Sequence, residues 1–164
     1  MYVKKLLYFL FTALIISILL TGCNHDLDNT IYMHKKPNNF YYTNILSQSI
    51  DSEPSYKCSI LNVNFYKRKD LDNKNTAVIT SMIKSLNKNN FVSKPENLNS
   101  KPAYKIFFTF NNKKMVMNVY DQQYVSVYPW DGNYSMDYID MKGLPIALNI
   151  YNLCDYIFNS DSTN

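Results

Sequence analysis

Hydrophobic and polar positions change period several times along the chain, and each change marks an element. Leu6 to Leu20 is an apolar run interrupted only by Thr12 and Ser17, behind Lys4 and Lys5. From Asn24 to Ser55 no period is sustained, and Asn, Asp, Lys and Ser dominate around Pro37 and Pro54. Such a segment buries too little apolar area to offset its ordering entropy and reads as a tether. Within it, Phe40-Tyr41-Tyr42 with Ile45, Leu46 and Ile50 reads either as a short docked helix or as more tether. Between Lys57 and Tyr66, Leu61, Val63 and Phe65 alternate with Asn62 and Asn64, the period of a half-buried strand.

Asp70 to Asn87 switches to helical spacing, with Leu71, Val78, Ile79, Met82, Ile83 and Leu86 on one side. Asp70 and Asp72 suit its N-terminus, where a carboxylate caps free amides and meets the helix dipole. Asn87-Lys88-Asn89-Asn90 suits a left-handed C-terminal cap. Phe91 to Pro102 reads as a loop. Period two then returns: Tyr104, Ile106, Phe108 and Phe110, next Met115, Met117 and Val119, next Val125 and Val127, with a last strand over Tyr134 to Ile139. Asn111-Asn112, Asp121-Gln122-Gln123 and Asp131-Gly132 supply the turns. Gly143 and Pro145 open a final helix whose stripe is Ile146, Ile150, Leu153 and Ile157, widened by Cys154 and Phe158. The pattern predicts an α+β domain: a mainly antiparallel sheet of about five strands in the order β-α-β-β-β-β-α, with the helices packed on one face.

The N-terminal run is too short for the roughly 20 apolar residues of a spanning helix. A charged start, an apolar core and small residues at the end make a secretory signal. What closes it is Leu20-Thr21-Gly22-Cys23, without an Ala-x-Ala-like site, and this resembles the lipobox of bacterial lipoproteins. The resemblance implies that the Cys23 thiol carries a diacylglyceryl group and that cleavage leaves Cys23 first. Each buried methylene contributes roughly 0.8 kcal/mol, so two acyl chains suffice for stable anchoring. The organisation expected is a lipoprotein signal at 1–22, a lipidated N-terminus and tether at 23–55, one α+β domain at 56–159 and a disordered tail at 160–164.

Loss of Lys4 and Lys5 lowers the formal charge from +4 to +2, which gives no argument for nucleic acid as a partner. Apart from Cys23, Cys58 and Cys154 remain, as a disulfide or as two buried free thiols. Closing that long loop would contribute roughly 4–5 kcal/mol in the chain-entropy picture. His25 and His34 both lie in the tether, which deprives the domain of the commonest general base and of Ser-His or Cys-His pairs. No zinc-ligand spacing occurs, and three glycines in the whole chain allow no phosphate-cradling loop. No metal site, cofactor or catalytic residue is therefore assigned, and the domain is expected not to be an enzyme.

One constellation remains: Tyr124, Tyr128, Trp130, Asp131 and Tyr134, with Asp137 and Asp140 nearby in sequence. The aromatic residues could stack on sugar rings while the acids take hydroxyls, and two suitably spaced carboxylates could hydrolyse a glycosidic bond. The same residues also suit plain strands and a solvated turn.

From Lys101-Pro102-Ala103-Tyr104-Lys105-Ile106-Phe107-Phe108 to Tyr128-Pro129-Trp130-Asp131-Gly132-Asn133-Tyr134, the chain resembles uncharacterised clostridial-type lipoproteins, a family with a domain of unknown function. The resemblance runs from about Leu61 to Phe158 and implies location and a single domain, with no catalytic residues to carry over. The expectation is a lipid-anchored, non-catalytic binding module on the extracytoplasmic face of the cell membrane. Its partner would be an envelope protein, a peptide or a glycan. The alternatives are a carboxylate-based cell-wall glycan hydrolase or an inhibitor of a secreted hydrolase.

Overall fold

The computed structural model describes residues 4–5, 36–132 and 135–160. The chain divides into two compact units, Met1–Tyr32 and Met33–Asn164. Of the first, Lys4 and Lys5 are helical and exposed; the lipidation candidate Cys23 and both histidines lie outside the described residues, as does Tyr134.

The second unit runs α1 (Tyr41–Ser52), β1 (Lys57–Asn62), β2 (Lys67–Asp70), α2 (Asn73–Ser85), β3 (Phe91–Val92), β4 (Tyr104–Thr109), β5 (Lys114–Val119), β6 (Tyr124–Pro129), β7 (Asp137–Asp140) and α3 (Ile150–Asn159). The strands form one sheet in the order β2-β1-β4-β5-β6-β7-β3, each pair antiparallel. The α+β class is the one the pattern predicts, with seven strands instead of about five and an added helix in front. The compact unit thus reaches back past Tyr56, and Phe40–Ile50 belongs to it as a docked helix.

One face of the sheet carries the core in cross-strand rows. Ile60, Ile106, Met117 and Val127 stand opposite one another in successive strands, and all four are 0% exposed. The next row is Tyr104, Val119, Val125, Ile139 and Phe91. Onto these rows fall Tyr42, Leu46 and Ile50 of α1, Ile79, Met82 and Ile83 of α2, and Ile150, Cys154 and Ile157 of α3. Each large apolar side chain so buried contributes roughly 1.5–3 kcal/mol over leaving it in water.

The structure corrects the reading of β1 by one residue. Cys58, Ile60 and Asn62 face the core; Leu61 is half-buried on the opposite face and Phe65 is 73% exposed. A single-residue slip turns every side chain over. The chain turns after Asn62, whose Oδ1 accepts the amides of Asn64 and Phe65, and Tyr66 takes a left-handed φ of 53°. The end of α2 is corrected as well. Its C-cap Leu86 is extended, and Asn87 instead opens a short 3-10 turn with a reciprocal cap to Asn90. Asp72 does cap α2 as expected, accepting the Asn75 amide at 2.7 Å. Pro145 begins a separate 3-10 turn, and α3 opens at Asn149, whose side chain accepts the Asn152 amide. Ile146 accordingly leaves the stripe and is 82% exposed.

The ends of two helices are completed from the sheet. α1 has neither a side-chain cap nor an acidic residue in its first turn. Asp137 of β7 supplies both, accepting from the Thr43 amide at 2.7 Å and the Thr43 hydroxyl at 3.0 Å. Lys36, just before α1, donates to the same carboxylate at 2.8 Å and to the Met136 carbonyl at 2.6 Å. Asp137, open from sequence to a binding or a solvated role, is 0% exposed; burial lifts its pKa above the ordinary carboxylate value, while Lys36 and Thr43 pull it back. At the other edge, Lys69 donates to the Ile157 carbonyl at 2.6 Å, filling an orphan acceptor in the last turn of α3, which has no basic residue of its own.

Asp137→Ala is expected to lower the unfolding free energy by about 3–5 kcal/mol, since removing one partner leaves Lys36 and the α1 amides uncompensated. Lys69→Met is expected to cost about 1 kcal/mol. Urea unfolding measures both, and effects below half a kilocalorie for each would remove the capping roles.

Candidate functional site

The sheet face turned away from the helices carries a different chemistry. Antiparallel register sets Phe107, Val116 and Tyr128 side by side across β4, β5 and β6. The row two residues to one side runs Arg68, Leu61, Lys105, Asn118, Ser126 and Tyr138. The row two residues to the other side runs Lys57, Thr109 and Lys114. An apolar and aromatic strip therefore lies between two rows that carry cations. At about 3.4 Å per residue, the flanking rows are roughly 14 Å apart. The cations also rest on the rings. The Arg68 guanidinium sits 4.8 Å from the Phe107 ring centre, and Lys114 Nζ sits 5.1 Å from that of Trp130. Arg68 is further fixed by two hydrogen bonds to the Ser59 hydroxyl, at 2.7 and 3.1 Å.

Three of the residues singled out from sequence lie on this face. Tyr124 and Tyr128, with Ser126 between them, lie on one side of β6, and Trp130 continues that line just past its end, where the Trp130 amide donates to the Lys114 carbonyl. Trp130 is 55% exposed, Tyr128 is half-buried, and burial raises the Tyr128 pKa. Tyr124 accepts a hydrogen bond from Gln123. Asp131 is exposed in the connection 130–136, so Asp-Gly sits in a longer loop than the tight turn expected of it. Beneath Tyr128, the Asn118 Nδ2 meets Tyr120 and Ser126 hydroxyls at 3.3 and 3.4 Å, and its buried Oδ1 has no partner among the described residues. Lys105, Phe107, Arg68 and Lys114 were not singled out from sequence; their alternation was visible, but register alone aligns four strands into one patch.

The acids do not converge. Asp137 faces the helix layer, whereas Asp140, opposite Tyr124, faces the other way and is held by Gln123 and the Lys142 amide. Among the described residues, no group of three or more His, Cys, Asp or Glu is placed to hold a metal. A cleft of about 720 Å³ opens between β1, β2 and α2, lined by Tyr56, Cys58, Asp70, Thr76, Thr80 and Lys84. Its thiol is inert: burial pushes the Cys58 pKa up to about 12, so the nucleophilic thiolate is scarce at neutral pH. Cys154, fully buried on α3, is shifted in the same direction by burial. Both cysteines are free, so the disulfide weighed from sequence is not formed.

The architecture defines a small two-layer module, a helix-backed antiparallel sheet presenting its second face. The chain belongs to the family described as a domain of unknown function (DUF4883), whose model matches residues 36–154. It is also similar to a crystal structure of a candidate lipoprotein from Clostridium perfringens, with 34% identity and a TM-score of 0.69 over 76% of this chain and 99% of that one. No curated protein matches it. Among the described residues, no helix is long and apolar enough to cross a membrane.

The buried thiols yield a direct check. In native protein at pH 8, Cys58 and Cys154 are expected to resist iodoacetamide, and both should react once urea unfolds the chain. Stoichiometric native labelling of either residue, read by mass spectrometry, would contradict their burial.

Proposed function

We propose that this protein is lipid-anchored at the extracytoplasmic face of the cell membrane and that its Met33–Asn164 unit is a non-catalytic binding module of the cell envelope. The observation that carries the anchor is Leu20-Thr21-Gly22-Cys23, closing an apolar run behind Lys4 and Lys5. The similarity to a candidate lipoprotein from Clostridium perfringens supports it. Binding is favoured over catalysis because the groups that could act chemically are otherwise engaged. Asp137 caps a helix, Cys58 and Cys154 are protonated in the core, and Asp140 is tied to its own turn. What the domain offers instead is surface: aromatic rings and cations on the second sheet face. The partner is an envelope protein, a peptide or a glycan.

Cells grown with radioactive palmitate should label the wild-type chain, and Cys23→Ala should take up none. A wild-type chain without label ends the anchored reading. For the binding role, full-length Trp130→Ala should bind isolated cell envelopes about fivefold or more weakly than wild type, the loss of about 1 kcal/mol that marks a contributing interface residue. Equal binding removes Trp130 from the surface.

A further inference from the structure

We propose that the second sheet face binds an anionic carbohydrate polymer, with Tyr128 and Trp130 against sugar rings and Arg68, Lys105 and Lys114 against its acidic groups. The inference deepens the binding-module reading and rests on it. The first argument is charge. On this face Arg68 stands on the edge strand β2 and Lys105 and Lys114 on the neighbouring strands β4 and β5, while the carboxylates Asp70 and Asp140 fall at the β2 end of the Phe107 row and on β7 towards the other edge. An extended polyanion crossing β4 and β5 therefore meets positive charge on both sides of the strip.

The second argument is shape. Tyr128 is half-buried and Trp130 is 55% exposed on the same side of one strand line, so both rings are reached from solvent. A pyranose presents an apolar C–H face that lies flat on such a ring, with its hydroxyls and acidic substituents turned to the sides. Side chains for that periphery stand in the adjoining rows, roughly 7 Å along the strands from the strip. A bilayer surface fits less well, because interfacial insertion needs apolar side chains that reach past the charges by several ångströms. Of these two rings only Trp130 is exposed. A polyacidic peptide would use the cations and leave the rings without a role.

The test is binding of the full-length protein in detergent to four probes at low and moderate salt: dextran sulfate, neutral dextran, polyglutamate and phosphatidylglycerol vesicles. The expected result is salt-sensitive binding to dextran sulfate, at least tenfold tighter than to polyglutamate or to the vesicles, with neutral dextran weaker still. Combined Arg68→Gln, Lys105→Gln and Lys114→Gln should abolish most of it, and Trp130→Ala should weaken it severalfold without changing its salt slope. Circular dichroism and urea unfolding establish that these surface variants are folded. Equal binding to polyglutamate, preference for vesicles, or indifference to the triple variant overturns the inference. If the protein binds isolated envelopes and dextran sulfate does not compete, this inference fails while the binding-module reading stands. No binding to envelopes or to any probe ends both.

Discussion

A single buried carboxylate fixes how the helical layer meets the sheet. Asp137 ends the row Ile60, Ile106, Met117 and Val127, and where that row would continue with another apolar side chain it places an acceptor under the open end of α1. The first turn of a helix has amides with no internal partner and a partial positive charge, and α1 brings neither a cap nor an acid of its own. The same row begins at Lys69, opposite Ile60, which closes the last turn of α3. One line across the sheet thus carries apolar contact in its middle and opposite charges at its ends, each matched to the helix terminus above it. The helices are positioned by polarity as well as by packing, which is the kind of specificity buried charges can confer.

Much of this was legible in the chain, because the inward residues of β4, β5 and β6 are the ones that the period marks, although only β4 alternates in burial and β5 and β6 are buried on both faces along part of their length. β1 was read one residue out because Leu61, Val63 and Phe65 form the stronger apolar series. Asn62 is buried there for a reason no hydropathy count records, its capping of the turn that follows. β2 was invisible as a strand: Lys67-Arg68-Lys69-Asp70 has no apolar face to alternate, yet an edge position favours such charge. β3 is two residues long and owes its existence to β7 rather than to its own composition. Asp137 could not be assigned because its partners lie about a hundred residues away in sequence.

The site was legible in part for the same physical reason. Tyr124, Tyr128 and Trp130 belong to one strand line, so local alternation brings them together without knowledge of the fold. The cations beside them come from β2, β4 and β5 and become neighbours only through inter-strand pairing. Two sheet faces with different work follow from that pairing. The covered face carries the apolar core, and the other carries rings and cations around a buried centre of Val116, Asn118 and Ser126.

The joint between Lys36 and Asp137 also has a mechanical meaning. Lys36 precedes the first helix of the Met33–Asn164 unit, and its ammonium bridges directly to β7, an inner strand paired on both sides. Tension entering from the N-terminal side therefore reaches that ion pair and the Met136 carbonyl before it can peel α1 away. A pull from that side is thus taken up by a strand bonded to two neighbours rather than by a free edge.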